Sequence, residues 1–198
     1  MRHRLFFAIN LDEVLARKIA RAMEEVERDL PPNLRAAARF VSSSNWHLTV
    51  SFLGYQDDAH FPAILEAGKR TALKFGPREI DLERITYAPS RGPSRRMIWA
   101  EARKDVSIWL GEMRNSLEKE LFERGVPFAP ERRRMDAHLT LARFTREVDA
   151  SGLPPIPHAI HGRFLARKLD LMESILERDG AEYTAIQGFS LKNGGVVY

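Results

Sequence analysis

The sequence predicts an α+β fold in which two lobes, each an antiparallel sheet covered by helices, are related by a pseudo-two-fold axis and flank a central cleft. Three observations carry this expectation. The tripeptide His-Leu-Thr occurs twice within apolar runs, in NWHLTVSFLG at residues 45–54 and in DAHLTLARF at 136–144. Sliding the chain along itself by 91 residues superposes His47 on His138 and pairs Ile19 with Leu110, Val26 with Leu117 and Leu30 with Leu121. Each half then reads as strand, long helix, connection and His-Leu-Thr strand, which suits a duplicated lobe better than a solenoid. Residues 1–198 are expected to form one bilobal domain.

The first strand is RLFFAIN, whose apolar run from Leu5 to Ile9 is too short for a signal-peptide core or a membrane span. Leu11, Leu15, Ile19, Met23, Val26 and Leu30 follow at helical spacing, with Asn10 and Glu13 as a capping pair and Pro31 and Pro32 as the stop. After the first His-Leu-Thr strand, Phe61, Ile64, Leu65, Gly68, Ala72 and Phe75 predict a second helix starting at Asp57 or Asp58. EIDLERITYA and RMIWAEAR predict a hairpin around PSRGPSR, and Val106, Trp109, Met113, Leu117 and Leu121 a third helix begun by Asp105. TREVDASGLPPIPHAIHG reads as a long polar loop, and the tail as two strands joined at Asp179 and Gly180.

A composition of 44% hydrophobic and 29% charged residues belongs to a globular chain and argues against disorder. The absence of cysteine excludes disulfides, thiolate zinc sites and cysteine nucleophiles, and is compatible with the cytoplasm. The net charge of +4 mildly favours a polyanionic partner. No phosphate-binding glycine loop, Gly-x-Ser-x-Gly elbow or His-Glu-x-x-His helix is present, which argues against the common triphosphate, acyl-transfer and metalloprotease chemistries.

Strand alternation puts His47, Thr49 and Ser51 on one face and Leu48, Val50 and Phe52 on the other, with His138 and Thr140 likewise opposed to Leu139 and Leu141. If the apolar faces bury, both histidines and both threonines line a shared cleft. Two imidazoles suit concerted acid and base work near neutral pH, and the hydroxyls suit phosphoryl oxygens. One His-x-Thr is ordinary strand composition, whereas packing alone gives no reason for the pair in both halves. Zinc is the competing use, with Asp136 at the right parity to join His138, but the first copy has Asn45 there. His3, His60, His158 and His161 read as solvated surface. The clusters Arg91, Arg95, Arg96 and Arg132, Arg133, Arg134 are either solvated loops or contacts for an RNA backbone.

RLFFAIN, NWHLTVSFLG and AHLTLAR together resemble the two-histidine phosphoesterase superfamily, most closely its RNA 2′,3′-cyclic phosphodiesterases, also called 2′-5′ RNA ligases. The resemblance extends over nearly the whole chain, although Ala137 and Ile175 stand where the family commonly has proline and arginine. It implies hydrolysis of RNA 2′,3′-cyclic phosphate ends to 2′-phosphates with no metal and no cofactor; a monomer is expected because the chain supplies both half-sites itself, and a cytoplasmic setting because it has no cysteine. It further implies His47 as proton donor, His138 as proton acceptor, Thr49, Thr140 and Arg143 as phosphate contacts, and Phe7 near the terminal base. Strict alternation turns Arg143 away from the cleft unless a bulge or the strand's end intervenes. Two other readings remain: opening of another small cyclic phosphate, such as that of ADP-ribose, and an RNA-binding module whose histidines only recognise phosphate.

Overall fold

The computed structural model describes residues 1–156, 162–177 and 180–192. The first strand, β1 (Arg2–Asn10), leads into α1 (Glu13–Asp29), the short α2 (Pro32–Ala37), β2 (Ala38–Phe40) and β3 (His47–Asp57). A 3-10 turn precedes α3 (Phe61–Ala72), followed by the hairpin β4 (Arg78–Ala88) and β5 (Ser94–Ala102), then α4 (Lys104–Glu123) and β6 (His138–Asp149). The remainder is β7 (Gly162–Ala166), β8 (Lys168–Glu177) and β9 (Gly180–Ser190).

All strand pairs are antiparallel, in two sheets ordered β3-β1-β8-β9 and β2-β6-β5-β4-β7. The two-sheet α+β expectation therefore holds. The halves interlock, however: the tail strands β8 and β9 complete the sheet of β1, while β2 crosses to the sheet of β6. Helices cross as well, α1 touching β7 and α4 touching β3. One core results, in which Leu5, Phe7 and Ile9 of the first sheet pack with Ile98 and Ala100 of the second and with Ile19, Met113 and Leu117 of the helices. Strands β3 and β6 approach each other where the sheets meet, which brings the two His-Leu-Thr segments together. Among the described residues no helix is long and apolar enough to cross a membrane.

Several local expectations need correction. The N-cap of α1 is Asp12, whose Oδ1 accepts the Leu15 amide at 2.7 Å, whereas Asn10 is still strand and donates to Asp170. Pro32 does not merely stop α1. Its fixed φ and missing amide hydrogen suit the first position of a helix, and it starts α2. At α4, Arg103 is the cap and Asp105 lies inside the first turn, where it receives Arg78. TREVD continues β6 rather than opening the loop, and RFLA forms β7, which was not anticipated. Of the proposed tail turn, Asp179 lies outside the described residues.

Gly68 shows how tightly the core is filled. A Cβ built there meets Phe189 at 2.7 Å and Phe7 at 2.8 Å. Replacing a helical glycine by alanine normally gains up to about 1 kcal/mol, but overpacking two aromatic rings costs about 1–3 kcal/mol. Gly68→Ala should therefore lower the melting temperature by a few degrees, at roughly 2–4 °C per kcal/mol for a chain of this size. An unchanged or raised midpoint in calorimetry would show that the rings yield freely.

Candidate active site

Each His-Leu-Thr strand carries one extra residue at the equivalent place. On β3, Thr49 faces Ala8 and Ser51 faces Phe7, so Val50 has no opposite number. On β6, Thr140 faces Trp99 and Ala142 faces Ile98, leaving Leu141 over. Such a bulge reverses the alternation beyond it. Val50 and Ser51 are consequently both buried, as are Leu141 and Ala142. Ser51 donates to Glu118 instead of joining His47 and Thr49, and Phe52 emerges on the polar face, 56% exposed. The same reversal carries Arg143 into the cleft.

The cleft has a volume of about 410 Å³ and is lined by His47, Thr49 and Phe52 of β3, His138, Thr140 and Arg143 of β6, residues Arg39 to Ser42, Asn45, and Ala181 to Tyr183 of β9. Four of the expected residues, His47, Thr49, His138 and Thr140, thus share one space with Arg143. Phe7 does not. It is fully buried against Gly68 and Phe189, because alternation along β1 sends Leu5, Phe7 and Ile9 to the core. Its neighbour Phe6 takes the cleft side, lying 4.9 Å from the His47 ring and 5.6 Å from that of Phe52.

Both imidazoles are held in the same way. Nδ1 of His47 donates to the Asn45 carbonyl at 2.8 Å, and Nδ1 of His138 to the Asp136 carbonyl at 2.6 Å. A carbonyl only accepts, so Nδ1 carries a hydrogen and Nε2 is left to gain or lose the working proton. Nε2 of His47 meets the Thr49 hydroxyl at 3.1 Å. That of His138 has no partner among the described residues.

The surroundings differ. His47 packs against both Phe6 and Tyr183, the latter edge-on at 5.0 Å, and burial pushes its pKa down to about 4, helped by Arg143 and His138 and opposed by the Asn45 carbonyl. His138 lies flat on Trp99 at 3.6 Å. Its pKa is also lowered, by burial first, while the Asp136 carbonyl, the Asp136 charge and Glu101 oppose the shift. Nη1 of Arg143 and Nε1 of Trp99 both reach the Met97 sulfur, at 3.3 and 3.4 Å. Asn45 ties β9 to the site by donating to the Ala181 carbonyl and accepting the Tyr183 amide.

Phe6, Trp99, Met97, Tyr183 and Asn45 were not anticipated. The repeat contained part of the signal, since the same 91-residue slide places Met97 on Phe6 and Asp136 on Asn45. Asp136 serves through its carbonyl, and among the described residues no three His, Asp or Glu side chains gather as a metal site. His3 is not solvated surface: it pairs with Glu173 at 2.7 Å and Asp58 at 3.0 Å. His60 precedes α3, with its Nδ1 buried and unpartnered, and His158 and His161 lie outside the described residues. The basic loops are partly neutralised: Arg133 pairs with Glu131, Arg96 with Glu147, and Arg95 donates to loop carbonyls.

A model of the LigT-like phosphoesterases matches residues 9–99, which include the first motif. An RNA 2′,3′-cyclic phosphodiesterase of Thermus thermophilus is 28% identical over 196 residues, covering 96% of this chain and 90% of that protein. The chain is similar to the LigT-like, two-histidine phosphoesterases. A second relative, an RNA 2′,3′-cyclic phosphodiesterase of Aeropyrum pernix, is 26% identical, the match covering 86% of this chain and 96% of that protein. In three dimensions the family likeness spans both sheets. The crystal structure of TT0787 of Thermus thermophilus superposes with a TM-score of 0.74 at 28% identity, covering 96% of this chain and 98% of that one. E. coli LigT complexed with 3′-AMP superposes at 0.76 and 23% identity, covering 98% and 100%.

In the ligand-free protein His47 should stay neutral until the pH nears 4 and titrate below His138, as followed by the Cε1 proton resonances. The unfolded chain protonates such a ring near 6.5, so between about 6.5 and 4 it binds more protons than the folded state, and stability should decline as pH falls through that window. Trp99→Leu removes an aromatic face that favours imidazolium and should lower the His138 pKa further. No change on that substitution would reduce the stacking to shape alone.

Proposed function

We propose that this chain opens 2′,3′-cyclic phosphate ends of RNA to 2′-phosphomonoesters without a metal ion. The observation that carries the reading is the pair of carbonyl-held histidines beside two threonine hydroxyls and Arg143 in one cleft. The names of the Thermus and Aeropyrum relatives support the same substrate. The matching bulges support reading residues 1–198 as one bilobal domain made by duplication. Both half-sites come from one chain, in keeping with a monomer, and the lack of cysteine is in keeping with the cytoplasm.

In this reading neutral His138 takes a proton from water on Nε2 as the water oxygen attacks phosphorus. The bond from phosphorus to the ribose 3′ oxygen breaks, and His47 Nε2 supplies the proton that oxygen needs. Thr49, Thr140 and Arg143 hold the nonbridging oxygens, where charge grows in the transition state. A pKa near 4 leaves His47 unprotonated in the free protein, so the bound phosphate must recruit its proton. A neighbouring anion raises such a group by about one to three units. With a ribose 5′ hydroxyl in place of water as the attacking group, the same step, forming the bond from phosphorus to the 5′ oxygen as that to the 3′ oxygen breaks, would join RNA ends 2′ to 5′.

One observation favours the opposite division of labour: His138, stacked on Trp99 and near Glu101, is the easier ring to protonate in the free site. Substrates with an easily expelled leaving group decide, because they need little protonation. They should rescue His47→Ala more than His138→Ala, and the double variant should be scarcely worse than either single one. Preferential rescue of His138→Ala would exchange the two roles. Because substrate binding recruits the proton, KM should rise with pH from about 4 up to the raised pKa of the bound state and level off above it, and the bell-shaped profile of kcat should lie at higher pH than that of kcat/KM.

The decisive experiment is incubation of a cyclic-phosphate-ended oligonucleotide with the protein in excess chelator, with analysis of the end formed. A 2′-phosphate at an undiminished rate is expected. Binding without turnover would leave an RNA-binding module, exclusive turnover of an ADP-ribose cyclic phosphate would change the substrate, and restoration by zinc or magnesium would overturn the metal-free mechanism. Thr49→Ala and Thr140→Ala should each lower kcat, by up to about a hundredfold, with the fold intact.

A further inference from the structure

We infer that Arg39 binds the phosphate on the 5′ side of the terminal nucleoside, so that the preferred substrate is an oligonucleotide end and not a lone nucleoside cyclic phosphate. The inference rests on the cleft being the phosphodiesterase site proposed above.

Strand β2 adds to the outer edge of β6, with Arg39 directly opposite Arg143. Opposed residues of an antiparallel pair project from the same face, and both arginines line the cleft. Two guanidiniums side by side repel unless an anion lies between or beside them. None is supplied by the described residues. Arg143 reaches only the Met97 sulfur, a weak neutral acceptor, and Arg39 has no hydrogen bond or ion pair among the described residues. Glu182, the carboxylate that lines the cleft, belongs to β9 of the other sheet and pairs with neither.

Several arginines outside the cleft have a carboxylate partner: Arg84 is paired with Glu101, Arg78 with Asp105 and Arg124 with Glu120. Others, such as Arg21, Arg35 and Arg146, stand alone among the described residues; what distinguishes Arg39 is its place in the cleft directly opposite a second arginine. The unneutralised pair shares the cleft with the histidines, where an anionic ligand is expected, and Arg39 lies one strand further out than they need. A single phosphate engaged by Arg143, Thr49 and Thr140 leaves Arg39 about one strand spacing, roughly 4.8 Å, to the side. A nucleoside cyclic phosphate has no second anion to offer it. An RNA end has one, on the 5′ oxygen of the same nucleoside.

The test compares a nucleoside 2′,3′-cyclic phosphate with a dinucleotide ending in the same cyclic phosphate, on the unaltered protein and on Arg39→Gln. Loss of one charge-assisted contact should raise the dinucleotide KM about tenfold, with the mononucleoside KM and both kcat values within about twofold. The salt dependence of the dinucleotide KM should flatten by roughly 0.7 in log–log slope. A dinucleotide with an uncharged methylphosphonate linkage should behave on the unaltered protein as the natural one does on Arg39→Gln, and lose nothing more on that variant. Equal losses on both substrates, or a loss that persists with the uncharged linkage, would overturn the role of Arg39. Absence of turnover with either substrate would instead sink the phosphodiesterase reading. In that event, calorimetric binding of a dinucleotide with a 2′-phosphate still decides Arg39, a tenfold loss in the variant supporting its role and an unchanged affinity refuting it.

Discussion

The site depends on a single surplus residue in each of two strands, Val50 in β3 and Leu141 in β6. A regular strand offers its cleft every second residue and no choice about it. Ahead of each bulge, alternation delivers histidine and threonine to the cleft and leucine to the core. Behind it, the reversed alternation delivers Phe52 in one strand and Arg143 in the other, while Ser51 and Ala142 turn inward. The result is asymmetric chemistry on a symmetric frame: an aromatic surface on one side of the cleft and a guanidinium on the other.

The same frame sets the electrostatics. Each imidazole is pinned by a main-chain carbonyl two residues before it, which fixes the ring and its tautomer without committing a side chain. Burial then makes both rings reluctant to carry charge, and the cationic Arg143 in the same cleft adds to that reluctance. A site with cationic and neutral donors but little negative charge is incomplete until an anion enters. Phosphate is thus both ligand and electrostatic partner, and the protonation state suited to catalysis arises on binding. The different beds of the rings, Phe6 and Tyr183 for one and Trp99 for the other, separate two groups that begin chemically identical.

Interlocking of the halves keeps this geometry rigid. Strands β8 and β9 come from the end of the chain, yet β8 pairs with β1, β9 adds beyond it, and β9 supplies Tyr183 beside His47. Asn45 fastens that tail strand to the first motif from both ends of its amide. Helices lying against strands of the opposite sheet merge two small cores into one, so the angle between β3 and β6 is set by packing throughout the molecule.

The sequence by itself determined the fold class, the main helices, most strands and the four residues of the paired motif. These rest on periodicity and repetition, which are properties of order along the chain. It also exposed the conflict at Arg143, since alternation on an unbroken strand contradicted the family resemblance. Only the tertiary structure decided which way Arg143, Ser51 and Phe52 face, that Phe6 and not Phe7 underlies the site, and that Arg39 stands beside Arg143. A bulge is a mismatch between two paired strands, and a cross-strand neighbour belongs to a pair. Neither exists until a second strand, distant in sequence, has taken its register.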